Sequence, residues 1–194
     1  RWDEFPQVAP QLYNLDAVAY ESVLLGLFSV WRGDFRADAR TPAAREQDAA
    51  GRPKSNELFV GFSRDGFHWD RPDRQPFSPA GAQRGAWNWG NVQSAGGGCL
   101  VVGDRLFFYS SGRAGKAFPG SASHDAGGAA GVSFLRRDGF ASLDATGCGG
   151  QLTTRPVRFS GSRLFVNLAA PTGELRVEAL QQGVPVVAVT EADD

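Results

Sequence analysis

Residues 57–70 read ELFVGFSRDGFHWD, and their reading decides the fold. Leu58, Val60 and Phe62 recur at period two with Phe59 and Gly61 between them, the alternation of a strand whose sides face different surroundings. Asp65 and Gly66 then supply the pair that tight turns favour, because both tolerate positive φ. Phe67 and Trp69 resume the alternation beyond the turn. The stretch predicts a β-hairpin.

Residues 128–144, GAAGVSFLRRDGFASLD, repeat the pattern, with Val132 and Phe134 before Asp138-Gly139 and with Phe140, Ser142 and Asp144 after it. Asp65 and Asp138 stand 73 residues apart, so the repeating unit is longer than one hairpin. Upstream of the first hairpin lie LYNLDAVAY and VLLGLFSVW, and upstream of the second lie NVQSAGGGCLVV and RLFFYSS. Each unit, residues 11–72 and 91–145, therefore reads as four strands in succession. Polar insertions at 32–56 and 112–131 fall between strands two and three of both units, and the linker between the units carries Trp87 and Trp89. Repeated four-stranded meanders are how a propeller is built, with the first strand of each nearest the axis.

The pattern changes after Cys148. The stretch GQLTTRPVRFSGSRLFVNLAA lacks the Asp-Gly-Phe element, and GELRVEALQQGVPVVAVTEADD reads as one hairpin turning near Gly183. The expected fold is all-β: about two four-stranded blades of a partial five-bladed propeller over residues 1–148, then the first strands of a β-sandwich over 149–194.

Composition agrees with many short strands, since 25 glycines, 11 prolines and 14 phenylalanines favour turns and aromatic-rich sheets over long helices. Residues 42–50 are the only helix-tolerant stretch. No apolar run approaches the roughly 20 residues that span a bilayer, and no charged-then-apolar leader opens the chain. We therefore expect a soluble protein without a membrane partner, and leave its compartment, secreted or not, open. The absence of methionine and the lone terminal hairpin suggest a piece of a longer protein whose further blades and sandwich strands pair with this one. A net charge of −1 without a basic stripe argues against a nucleic-acid partner. Cys99 and Cys148 are read equally as a bridge or as two free thiols.

The spacing of reactive residues removes several chemistries. SSGRAGKA lacks the first glycine and the hydroxyl residue of a phosphate loop, no Gly-x-Ser-x-Gly elbow occurs, and His68 and His124 stand apart with no paired ligand to hold zinc. We expect no metal and no cofactor. Carboxylates remain. Asp16 and Glu21 sit among apolar residues in NLDAVAYESVLLGL, and partial burial raises a carboxyl pKa as an acid catalyst requires. Asn14, Asn91 and Gln93 open first strands and carry amides suited to sugar hydroxyls. Trp87 and Trp89 offer faces for a sugar ring, and Arg113 ends a strand as a ligand for an anion or hydroxyls. Asp65, Asp70, Asp138 and Asp144 recur with the unit, which makes them turn-formers.

The segments YNLDAVAYESVLLGLFSVW, FVGFSRDGFHWDRP, GDRLFFYSSGR and GVSFLRRDGFASLDA, followed by LTTRPVRFSGSRLFVNLAA, resemble the five-bladed β-propeller glycosidases. That group includes arabinofuranosidases, xylosidases and invertase-like fructosidases. The resemblance implies carboxylates on first strands, often with a β-sandwich behind the propeller. It implies that Glu21 donates a proton, although Tyr20-Glu21-Ser22 replaces the group's Glu-Gly-Pro or Glu-Cys-Pro, and Trp87-Asn88 replaces its Trp-Asp. The expected function is glycosidic-bond hydrolysis in the whole protein, with this piece inactive alone. The alternatives are a non-catalytic carbohydrate-binding propeller and a structural or interaction β-domain.

Overall fold

The computed structural model describes residues 9–33, 54–83, 85–115 and 126–189, all of them strand, turn or irregular chain with no helix. The helix-tolerant stretch 42–50 and His124 lie outside the described residues. The chain divides into two compact units, Arg1–Leu143 and Asp144–Asp194.

The first unit holds two antiparallel sheets. Sheet A is a meander of β1 (Gln11–Tyr20), β2 (Val23–Gly33) and β3 (Lys54–Ser63). In sheet B the central strand is β6 (Arg105–Arg113), with β7 (Gly128–Arg136) along one edge. Its other edge is shared by β4 (Asn91–Ser94) and β5 (Leu100–Val102). These two short strands are one strand broken at 95–99, where Gly96, Gly97 and Gly98 take φ of 90°, 73° and 67°. A side chain at Gly98 would run into Val18 of β1, so the first strands of the two sheets meet there.

The second and third strands of the two sheets share one hydrogen-bond register. In sheet A, Arg32 pairs with Ser55 and Val30 with Glu57; in sheet B, Arg113 pairs with Gly128 and Ser111 with Ala130. Every β2 number lies 81 below its β6 equivalent, as Arg32 does to Arg113, and every β3 number 73 below its β7 equivalent, as Glu57 does to Ala130. The difference between the two offsets is carried by the connecting segments.

The fourth strands differ from expectation. In sheet A the return strand is reduced to two isolated bridges on β3, Phe62 to Asp70 and Leu58 to Ser78. Asp65 explains this. Its Oδ1 accepts the N–H groups of Phe67 and His68 at 2.9 and 2.8 Å, winding residues 63–69 into a wide loop in place of a two-residue turn. In sheet B no return strand pairs with β7 among the described residues. Asp138 takes φ of 60° and Gly139 N–H closes on Arg136 O at 2.9 Å, a single turn. Phe140 then packs edge-on against Tyr20, Phe62 and Phe108. Aromatic burial outweighs strand pairing at that residue.

One side of each sheet packs on the other. Tyr20, Leu25 and Leu27 from sheet A and Leu106 and Phe108 from sheet B form a buried cluster, joined by Val18, Val60, Phe62, Phe77, Leu135 and Phe140. A second cluster on the far side of sheet A joins Phe28, Val30 and Phe59 with Leu15 and Trp69. Gly26 and Gly61 make room there, since a side chain on either would collide with Trp69 or Phe28.

The second unit contains one hairpin, β8 (Val177–Gln181) and β9 (Val184–Val189), turning at Gln182 and Gly183 with φ of 53° and 81° as the terminal sequence predicts. Residues 151–169 form no strand. Leu152, Val157, Phe159, Leu164 and Phe165 are exposed in that segment, so its alternation of apolar residues has no sheet to complete. Cys99 and Cys148 are free thiols.

Candidate functional site

The two sheets of the first unit have a common apolar end and a common polar end. At the apolar end, Tyr20 Oη donates to Asp138 Oδ1 at 2.5 Å and accepts from Asp138 N at 3.2 Å. Beside them, Arg137 Nη2 donates to Glu21 Oε1 at 2.6 Å. The β1–β2 turn is thus latched to the end of β7, and Arg137 N–H also reaches Asp104 O at the start of β6. It follows that β2 and β6 start at the same end and run the same way.

At the far ends of these strands the buried residues change character. Ser29, Arg32, Ser55, Asn56, Glu57, Asn91 and Ser110 are all buried there, and Ser63 is the one other buried polar residue among the described residues. The strand face that carries Leu25 and Leu27 continues through Ser29 to Trp31, next to Asn14 and Asp16 of β1 and Asn56 of β3. Asn14 Oδ1, Ser29 Oγ and both side-chain polar atoms of Asn56 are buried without a hydrogen-bond partner among the described residues. Buried amides and hydroxyls are almost always paired, so each of these atoms calls for a bound water or ligand group. Asp16 is half-buried beside them, and Asn14 Nδ2 lies 3.5 Å from its Oδ2, too long for a strong bond.

Trp87 stands at the same end, on the sheet B side that faces sheet A. Its ring lies over Gly112 and Gly131, and a Cβ on either would strike it. A bare glycine floor on two neighbouring strands is what lets an indole lie flat on a sheet, and 41% of Trp87 stays open to solvent. Trp89, by contrast, is 5% exposed and packed over Gly115. It is a core aromatic.

The remaining expected site residues lie on one side of sheet B, except Glu21 in the β1–β2 turn. Asn91 pairs with Arg113 and Gln93 with Ser111, which places all four on the side turned away from sheet A. The register-equivalent of Asn14 is Ser94, which pairs with Ser110 as Asn14 does with Ser29. Asn14 and Asn91 are therefore not equivalent positions, because the β4 strand starts earlier than spacing suggests. Glu21 lies at the opposite end from Asn14 and Asp16. It is the first residue of a two-residue turn with φ of 49°, and its carboxylate is 58% exposed and held by Arg137. The apolar neighbours that suggested burial belong to the strands on either side, and their side chains point into the core while the turn projects.

Sequence reasoning missed Arg32 and Glu57. Arg32 Nη1 and Glu57 Oε2 are 3.1 Å apart with both side chains 5% exposed, on the far side of sheet A. Glu57 Oε1 also accepts the Ala80 N–H at 3.1 Å, and Arg32 and Arg71 stack on Phe59. The signal was present: each charge falls in phase with inward apolar residues, Arg32 with Val30 and Glu57 with Phe59.

No group of three or more His, Cys, Asp or Glu among the described residues is arranged to hold a metal ion. Comparison with protein-family models, with curated proteins and with solved structures found no match to this chain.

Proposed function

We propose that the first unit is a pair of neighbouring β-propeller blades, with the second unit contributing strands to a β-sandwich, and that the polar end of the blades binds a neutral, hydroxyl-rich ligand, a carbohydrate. The common register of the two sheets and the meeting of their first strands at Val18 and Gly98 support the propeller reading. The observation that carries the binding reading is the set of buried, unpartnered polar atoms on Asn14, Ser29 and Asn56, at the end where Trp87 lies open on its glycine floor. Neutral donors and acceptors beside an aromatic plate suit sugar hydroxyls and the apolar face of a sugar ring.

Titration of the protein with neutral oligosaccharides, read by tryptophan fluorescence, tests this. Trp87→Ala is expected to weaken binding about tenfold, the equivalent of one stacked ring. Absence of any response to neutral glycans, or binding indifferent to Trp87→Ala, rejects the proposal.

Hydrolysis is the second reading, favoured by the half-buried Asp16 beside Asn14. Glycoside cleavage needs two carboxyl groups about 5–10 Å apart across one bond. Glu57 shares the polar end but lies on the other face of sheet A, tied to Arg32. The partner of Asp16 would therefore come from outside the described residues. In a full-length protein that cleaves aryl glycosides, Asp16→Asn is expected to abolish turnover with folding intact, while Glu21→Gln leaves it unchanged.

A further inference from the structure

Arg32 and Arg113 occupy the same register position in the two sheets, and the residues across from them on β3 and β7 differ. In sheet A, the strand neighbour that supplies a carboxylate to the guanidinium is Glu57, opposite Val30. In sheet B the register-equivalent of Glu57 is Ala130, opposite Ser111. The residue directly across from Arg113 is Gly128, which has no side chain to cover it; a Cβ built there would lie 3.1 Å from Nη1. Arg113 donates through Nη1 to its own neighbour Gly112 O at 3.0 Å and has no ion pair among the described residues. Its side chain is partly open to solvent, on the side of sheet B that also carries Gln93 and Ser111.

We propose that Arg113, with Gln93 and Ser111 beside it, is a carboxylate-binding site, in which a ligand supplies the group that Glu57 supplies to Arg32 in sheet A. A guanidinium is a planar fork of donors that matches a carboxylate, and an amide and a hydroxyl on the same face add hydrogen bonds to a neighbouring hydroxyl or to the second oxygen. The Arg113 guanidinium lies over Gly128, and Ala130, where sheet A has Glu57, supplies no carboxylate to it. The ligand chemistry is a small carboxylate, carried either on an acidic sugar or on a simple organic acid.

The site lies on the opposite face of sheet B from Trp87, so it does not depend on the neutral-sugar reading. Three probes are titrated into the whole chain and followed by NMR: glucuronate, methyl glucoside and acetate. Binding of glucuronate or acetate, with shifts centred on Gln93, Ser111 and Arg113, is the expected result. Glucuronate tighter than acetate identifies an acidic sugar as the ligand, and equal affinity identifies a simple carboxylate. Arg113→Gln should weaken the carboxylate probe about tenfold or more, and Arg113→Lys should recover part of that loss. Ala130→Glu keeps Arg113 and rebuilds the sheet A pair on an exposed position. It should compete with the probe and abolish its binding. Failure of both carboxylates to bind the wild-type protein, or binding unaffected by both Arg113→Gln and Ala130→Glu, overturns the proposal. A failure of methyl glucoside alone leaves this site standing and counts only against the neutral-sugar reading.

Discussion

Asp65 and Asp138 begin as the same residue in the same motif and end in different work. Asp65 is held by the N–H groups of Phe67 and His68 and by the His68 ring, whose Nδ1 is 2.7 Å from Oδ2. The hydrogen bonds from His68 push its carboxyl far below the usual carboxylate range, and the same contact raises His68 above its ordinary value. The signs differ. The Asp65 contribution is present above its unfolded pKa of 3.8 and is lost as pH falls through the lower folded value. The His68 contribution is full below its unfolded pKa of 6.5 and is lost as pH rises through the higher folded value. NMR titration of His68 is expected to give a midpoint above that of a free histidine, and Asp65→Asn should return it. At Asp138 the partner is distant in sequence. Burial, and next the bond to Asp138, raises the Tyr20 phenol, so neutral Tyr20 supports the fold until pH climbs through that raised value. Tyr20→Phe should cost about 1 kcal/mol in chemical denaturation, and a double-mutant cycle with Asp138→Asn should be non-additive.

Strands were legible because their alternation is local. The segments that carry β3 and β7 stand out by period-two apolar residues, the segment of β2 by an almost unbroken apolar run, and the Asp-Gly repeat set their spacing. The fourth strands were not legible. Whether Phe140 continues a strand or turns into the core depends on Tyr20, Phe62 and Phe108, which are brought to it by two other strands and share no sequence window with it. The glycines make the same point in reverse. Gly98 takes positive φ and touches Val18, so Gly98→Ala should destabilise the unit by about 1–3 kcal/mol in urea unfolding. Gly131→Ala should instead lift Trp87 from its floor, seen as a red-shifted tryptophan emission with strand content in circular dichroism unchanged.

At the scale of the molecule, the apolar burial is concentrated in residues before Leu143. The core clusters draw on both sheets of the first unit, whereas large apolar side chains of the second unit from Leu152 to Val186 are exposed. A two-stranded hairpin is marginal by itself in water. Hydrogen exchange should therefore show the slowest amides in β2, β3 and β6, with residues 144–176 exchanging at rates close to those of an unfolded chain. Strong protection in 151–169 would contradict this picture.

The sequence by itself determined that the chain is built of antiparallel strands, because strand alternation and turn residues depend on the order of neighbouring residues. It also named Asn14, Asp16 and Trp87, which fall at one end of the sheets. Only the tertiary structure decided that Glu21 stands at the other end, that Asn91 and Gln93 face away from Asn14, and that among the described residues Arg113 has no carboxylate where its twin Arg32 has Glu57. The physical reason is register. A strand's pattern shows that its sides differ, but which side meets which neighbour is fixed only when strands distant in sequence pair and pack.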